Sequence, residues 1–238
     1  MSTTPDSDDW AGARGRKWLE GLEATEAMLA PVNVPLIEAM QPDGAELVAD
    51  VGCGGGATTL AIASSLPASA EVHGHDISSD LVNAARKLNQ DPRVAFYRSD
   101  AQKHSPEALY DRLVSRFGVM FFPDPASAFR NLARWLVPGG RFAFAVWGPP
   151  SENPWMMTVH RAVTTEYPLP SPEPDSPGPF RYADVGPFVD LLASSGFSEL
   201  DASVWTHPLP IGGGMDSRAA ADFALNTLGI AEPAADDA

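Results

Sequence analysis

Four glycines in five positions, Gly52-Cys53-Gly54-Gly55-Gly56, follow directly on the β-rich run Leu47-Val48-Ala49-Asp50-Val51 and precede a helix-forming stretch from Ala57 to about Leu66. An apolar run of this length suits a strand covered on both faces. Glycine, lacking a Cβ, lets the backbone turn sharply and approach a ligand closely. A strand that passes through such a loop into a helix is the opening of an α/β unit, where ligands sit beyond the carboxyl ends of parallel strands.

The chain after Glu46 repeats that alternation, which predicts a parallel sheet with helices on both sides. Glu71 to Asp76 reads as a second strand, and Ser78 caps a helix whose Leu81, Ala84, Ala85 and Leu88 keep helical spacing. Val94 to Tyr97 is the third strand and Arg112 to Ser115 the fourth. Asp124 caps, and Pro125 opens, a helix carrying Phe129, Leu132, Ala133 and Leu136, which Pro138-Gly139-Gly140 should stop. Arg141 to Trp147 is apolar at nearly every side chain and reads as a fifth strand covered on both faces; Phe197 to Trp205 reads as a sixth.

The flanks differ in composition. Residues 1–9 are polar and read as disordered, and Trp10 to about Met40 reads as helices broken by Pro31 and Pro35. Ten prolines between Pro149 and Pro187 exclude a continuous helix or a central strand there. Within and after that stretch, Asn153 to Tyr167 and Asp184 to Ser195 read as helices, and a glycine linker past Ile211 leads to one short helix and an acidic tail. The expected division is a helical cap over 1–44, a ligand-binding core over 45–148, a proline-rich cap insert over 149–187, and a C-terminal part over 188–238.

With 16 Lys and Arg against 31 Asp and Glu, the net charge of −15 repels polyanions, so nucleic acid is not the expected partner. No run approaches the roughly 18 apolar residues of a membrane span. The start MSTTPDSDDW lacks the basic and apolar segments of a secretory signal, and the single Cys53 forms no internal disulfide, so a cytoplasmic location is expected.

On the run Asp50-x-Gly52-x-Gly54-x-Gly56, the chain over roughly residues 45–147 resembles the class I methyltransferases that use S-adenosylmethionine (SAM). The resemblance implies a Rossmann-like αβα sandwich, with a mostly parallel sheet in the order 3-2-1-4-5 and then an edge strand. Nothing β-rich follows Trp205, so the seventh strand usual in that family is not expected. It implies a site in which Asp50, Gly52, Cys53 and Gly54 form the cofactor loop, and Asp76 with Ile77 holds the ribose. Asp100 and Ala101 contact the adenine, and Ser115 lies beside the reacting methyl. The runs DRLVSRFGVMFFPDP and PGGRFAFAVWGPPSENPW look most like the bacterial subgroup near the ubiquinone and menaquinone methyltransferases. Gly12-Ala13-Arg14-Gly15-Arg16-Lys17-Trp18 is similar to that subgroup's lead-in helix, which implies that Trp18 covers the methionyl end of the cofactor.

The implied activity is transfer of a methyl group from SAM to a small-molecule acceptor by direct in-line displacement, leaving S-adenosylhomocysteine. Two alternatives stand beside it, a non-catalytic SAM-binding module and an NAD-dependent oxidoreductase, since Gly52, Gly54 and Ala57 with Asp76 also satisfy the dinucleotide fingerprint. Asp50 weighs against the oxidoreductase, because an acid before the loop repels a pyrophosphate and suits a sulfonium and an ammonium. No metal site is expected: His73 and His75 lack a further ligand at metal spacing and read as strand packing. Cys53 reads as packing rather than as a nucleophile. No general base stands out; His104, His160 and Arg116 are candidates for handling a proton or an oxyanion, and Trp155, Met156 and Met157 for lining an acceptor pocket.

Overall fold

The computed structural model describes residues 10–158, 161 and 175–227. Its centre is a five-stranded sheet of β1 (Leu47–Val51), β2 (Glu71–Asp76), β3 (Val94–Arg98), β4 (Tyr110–Arg116) and β5 (Leu136–Ala145). The strands are all parallel and lie in the order β3-β2-β1-β4-β5. This is the Rossmann-like order expected. The reversal of order falls beside β1, so the loop after β1 opens at the place where such sheets bind ligands.

The α-helices that position the site are α1 (Ala13–Glu20), α2 (Leu22–Leu29), α3 (Asn33–Met40), α4 (Ala57–Ser65), α5 (Ser79–Leu88), α6 (Pro125–Ala133), α7 (Val185–Ser194) and α8 (Ser217–Thr227). Leu36 and Met40 of α3, Ile62 and Ala63 of α4 and Val82 and Ala85 of α5 pack with Val48, Val72 and Val114 of the sheet. Phe129 and Leu132 of α6 and Phe188 and Leu192 of α7 pack with Ala49, Val51 and Leu113. Adjacent residues of β1 thus feed separate cores, as the two-residue period of a strand requires. Each large side chain withdrawn from water there contributes about 1.5–3 kcal/mol.

Local chemistry explains the element ends. Ser78 caps α5, Asp124 caps α6 by accepting from the Ser127 amide at 3.0 Å, and Asp184 caps α7 through the Gly186 amide at 3.2 Å. Pro31 falls in the 3-10 turn Ala30–Val32. Pro35 does not break its helix, contrary to expectation, because it occupies the third position of α3, where the missing N–H has no intrahelical acceptor.

Four further expectations are corrected. The helix after Pro125 stops at Ala133 and does not reach Leu136, because Trp135 is buried, its indole donates to the His104 carbonyl at 3.0 Å, and its own carbonyl accepts from Tyr110 at 2.7 Å, drawing the chain into the sheet. Pro138-Gly139-Gly140 is therefore no helix stop. It is a bulge within β5, whose register against β4 jumps from Tyr110 with Leu136 to Arg112 with Arg141. Finally, Phe197 to Trp205 pairs with no strand. Phe197 is drawn onto the sheet face, 4.5 Å from the Phe142 ring, and the residues beyond it run exposed, Val204 at 85%. β5 is left as the edge and only half-buried, not covered on all sides as its apolar sequence suggested.

Of the expected helix from Asn153 to Tyr167, a helical turn over 154–158 is described; 159–160 and 162–174 lie outside the described residues, as do His160, the polar start and the acidic tail. No described helix is long and apolar enough to cross a membrane.

Candidate cofactor cleft

The loop after β1 is shaped by its neighbour strand. The amides of Gly52 and Cys53 both donate to the His75 carbonyl, at 2.8 and 3.1 Å, so the chain stays tied to β2 as it turns. Gly52 and Gly54 both take positive φ, +72° and +54°. Their surroundings differ. A Cβ on Gly52 would lie 2.9 Å from the Gly118 Cα, whereas one on Gly54 would meet only the Trp18 indole nitrogen at 3.9 Å. Gly52 is thus needed for packing, and Gly54 presents its bare backbone to the space beneath α1.

Asp76 ends β2 and fixes this loop. One carboxylate oxygen accepts from the Gly54 amide at 2.9 Å and the other from the Ser78 amide at 2.8 Å. Burial pushes the carboxyl above its ordinary range, and those backbone amides oppose the shift. Each oxygen retains a second lone pair for a further donor. Ile77, next in line, is half-buried, and its carbonyl accepts from Arg98 at 3.4 Å.

Asp50 is 1% exposed. Its Oδ2 accepts from the Thr59 hydroxyl at 2.7 Å, while Oδ1 has no hydrogen-bond partner. Desolvation drives its pKa up to about 7; the Thr59 bond and the nearby Arg116 lower it, and Glu26 and Asp76 raise it. A buried carboxylate oxygen without a partner is costly. It matches a cation brought by a ligand.

Arg116 stands at the end of β4, with its side chain 6% exposed. Its guanidinium pairs with Glu26 of α2 and donates to the Asn33 Oδ1 at 3.1 Å, an oxygen that also accepts from Thr58 at 3.4 Å. This cluster pins the N-terminal helices over the strand ends. Sequence reasoning named Arg116 for an oxyanion and missed Glu26, Asn33, Thr58 and Thr59; Thr59, two residues into the helix that follows the loop, could have been read as a partner for Asp50.

The remaining expected residues divide. Trp18 is half-buried over Gly54 and 5.8 Å from the Trp10 ring, which in turn meets Phe121 at 4.8 Å. Asp100 accepts from the Gln102 amide at 3.0 Å and pairs with Lys103 at 3.2 Å. Ala101 is buried in the core, its carbonyl taken by Asn131 at 2.8 Å. Ser115 is a correction: it is fully buried and donates to the Val51 carbonyl at 2.7 Å, so it joins β4 to β1 instead of facing a ligand. Cys53 is buried, and burial with two nearby carboxylates pushes its thiol well up, which leaves it unreactive.

The ring of His75, unlike its carbonyl, is engaged away from the loop. His75 is 2% exposed and bonded to Ser99 at 2.9 Å and to the Tyr110 hydroxyl at 2.7 Å. Burial, then the neighbouring His104 and His73, lowers it to about 3, so it is neutral. His104 packs 5.6 Å from the rings of both His75 and Trp135. Beyond Arg116, Phe117 takes φ +62° and stacks on Trp147 at 4.3 Å, with Trp155 6.0 Å further on. A left-handed phenylalanine costs about 1–3 kcal/mol and persists only where its surroundings hold it; here its amide donates to the Ala145 carbonyl at 3.0 Å.

Residues 48–140 match the family described as the methyltransferase domain. The chain is 30% identical over 118 residues to the aklanonic acid methyltransferase DauC of Streptomyces, covering 48% of this chain and 54% of that protein. It is 29% identical over 184 residues to a trans-aconitate 2-methyltransferase of Escherichia coli, covering 74% and 67%. The chain thus spans about half the length of the first of these relatives and two thirds of the second. The YcgJ protein of Bacillus subtilis shares the fold, with a TM-score of 0.61 at 18% identity over 86% of this chain and 81% of that one. Over residues 48–140, the chain is thus similar to methyltransferases.

Proposed function

We propose that this protein moves a methyl group from SAM to a small-molecule acceptor by in-line displacement, leaving S-adenosylhomocysteine. The observation that carries the reading is the pairing of an exposed backbone loop with two acids: Gly54 is held open by Asp76 beneath Trp18, and Asp50 offers a buried oxygen with no partner. An acid in the position of Asp76 suits the ribose of either cofactor, but a pyrophosphate at the loop would be repelled by Asp50. A nucleoside that carries an ammonium and a sulfonium is not.

Asp76 and Ile77 would hold the ribose, Gly52, Cys53 and Gly54 the chain beyond it, Asp50 the ammonium, and Asp100 with the Ala101 backbone the adenine edge, with Trp18 above. The cofactor supplies the activated methyl. What the chain supplies is position and the exclusion of water, which together can account for about 7–11 kcal/mol of a barrier. Phe117 and Trp147 support the acceptor reading, since their stacked rings form an apolar wall at the ends of β4 and β5. Trp155 extends it, and Met156, the next residue, is buried. The acidic net charge supports a partner other than nucleic acid, and the lone buried Cys53 is consistent with a reducing, cytoplasmic setting.

Titration calorimetry with S-adenosylhomocysteine and with NAD tests the reading. Heat from the first and none from the second is expected; the reverse, or no heat from either, overturns it.

A further inference from the structure

Asp50 and Arg116 stand side by side on adjacent strands. Asp50 is level with Val114 in the β1 and β4 register, and Arg116 lies two residues further along β4, so all three side chains share one face. At that edge a carboxylate with one unpartnered oxygen feels the charge of a guanidinium that is almost wholly removed from water. The pair is complementary to a zwitterion of amino-acid type, ammonium on one side and carboxylate on the other. The guanidinium already holds a carboxylate. That carboxylate belongs to Glu26, on a helix outside the sheet, and its side chain is 17% exposed.

We propose that Arg116 is the seat for the α-carboxylate at the amino-acid end of the cofactor, and that Glu26 is a built-in competitor for that seat. The proposal rests on the cofactor reading above. A buried guanidinium cannot be left without an anion, because removing one partner of such a pair strands a desolvated charge. It can exchange one carboxylate for another at little cost, since the Nη2 group that donates to Glu26 can donate to either. Glu26 keeps Arg116 paired when the cofactor is away, and it yields when a carboxylate arrives already tethered by its nucleoside. Because α2 follows α1 after Gly21 alone, release of Glu26 also loosens the helix that carries Trp18 over Gly54.

A purely structural Glu26 and a competing Glu26 predict changes of opposite sign. Calorimetry would compare S-adenosylhomocysteine with 5′-methylthioadenosine, which keeps the nucleoside and sulfur but lacks the amino-acid end. Glu26→Gln should tighten S-adenosylhomocysteine about fivefold or more, within the usual range of coupling between competing contacts, and leave methylthioadenosine unchanged. The double variant Glu26→Gln/Arg116→Gln removes both charges and so avoids stranding either. Relative to Glu26→Gln alone, it should weaken S-adenosylhomocysteine about tenfold or more and again spare methylthioadenosine.

If Glu26→Gln weakens S-adenosylhomocysteine or leaves it unaltered, or if the double variant weakens both compounds alike, Glu26 and Arg116 only pin the helices and the proposal is wrong. A wild-type protein that binds methylthioadenosine as tightly as S-adenosylhomocysteine also overturns it, while leaving the cofactor reading in place. Binding of neither compound removes both.

Discussion

The hydroxyl of Thr59 donates to Asp50 Oδ2 at 2.7 Å, and among the described residues it is the one hydrogen bond that reaches this carboxylate. One neutral donor is too little to keep a fully buried carboxylate ionised, which is why Asp50 is pushed up to about 7.

A pH dependence follows. Between the ordinary value of 3.8 and about 7, the folded chain binds the proton that the unfolded chain has released. The associated stability is fully present below about pH 4 and is lost as pH rises through 7. Asp50→Asn removes that slope. Thermal melts of the two proteins should nearly coincide at pH 4 and separate by pH 8, with the Asn variant the more stable by on the order of a few kcal/mol. Affinity for S-adenosylhomocysteine should show the opposite trend in the wild type, rising from pH 6 to 8 as the carboxylate ionises, and stay flat in the variant. A gap in melting temperature that does not change with pH would assign the titration to another group.

The loop glycines look alike in sequence and should behave differently. Gly52→Ala places a methyl 2.9 Å from the Gly118 backbone and must displace it, so the loss appears as a lower melting temperature. Gly54→Ala meets only Trp18 at 3.9 Å and carries just the strain of a left-handed alanine, about 1–2 kcal/mol. Its methyl instead projects into the space that the proposed cofactor would take. Calorimetry should find affinity lowered at least about tenfold in a protein that still folds. Equal stability losses in the two variants would contradict this division.

What could be read from the sequence was what depends on neighbours along the chain. β1, its loop and β2 are local patterns, and Leu47–Val51 and Glu71–Asp76 form as read. The caps Ser78, Asp124 and Asp184 are likewise decided within a few residues. The misreadings arise from long-range partners. Leu136 keeps helical spacing with Leu132, yet Trp135 is claimed by His104 and Tyr110, each more than twenty residues away. Phe197 opens an alternating run but is captured by the aromatic cluster around Phe142. In the cleft, Asp50 and Asp76 were legible because the loop marks them. Glu26 was not, since only the fold brings it to Arg116 across ninety residues.

Asp76 makes a sharp test of the proposed cleft, because its side chain shapes the loop and, on the proposed reading, would also hold the ribose. Asp76→Asn keeps the size and one acceptor oxygen but sets an NH2 against either the Gly54 or the Ser78 amide. Losing a charged acceptor costs about 1.5–3 kcal/mol, or one to two decades of affinity for S-adenosylhomocysteine. Calorimetry that returns a wild-type dissociation constant would remove Asp76 from the ribose site.

Ser115 offers the complementary case, a residue whose position suggests contact with the reacting group and whose hydroxyl is committed elsewhere. It is fully buried and bonded to the Val51 carbonyl at 2.7 Å, so Ser115→Ala takes away one interior hydrogen bond and leaves a buried carbonyl short of a donor. The cost should be about 1–3 kcal/mol of stability, read as a fall of several degrees in melting temperature for a chain of this size. Affinity for S-adenosylhomocysteine should stay within about twofold of the wild type, because the hydroxyl serves the seam between β1 and β4. A tenfold loss of affinity at an unchanged melting temperature would place Ser115 against the cofactor after all, and the strand ends would then have to open further than the buried seam allows.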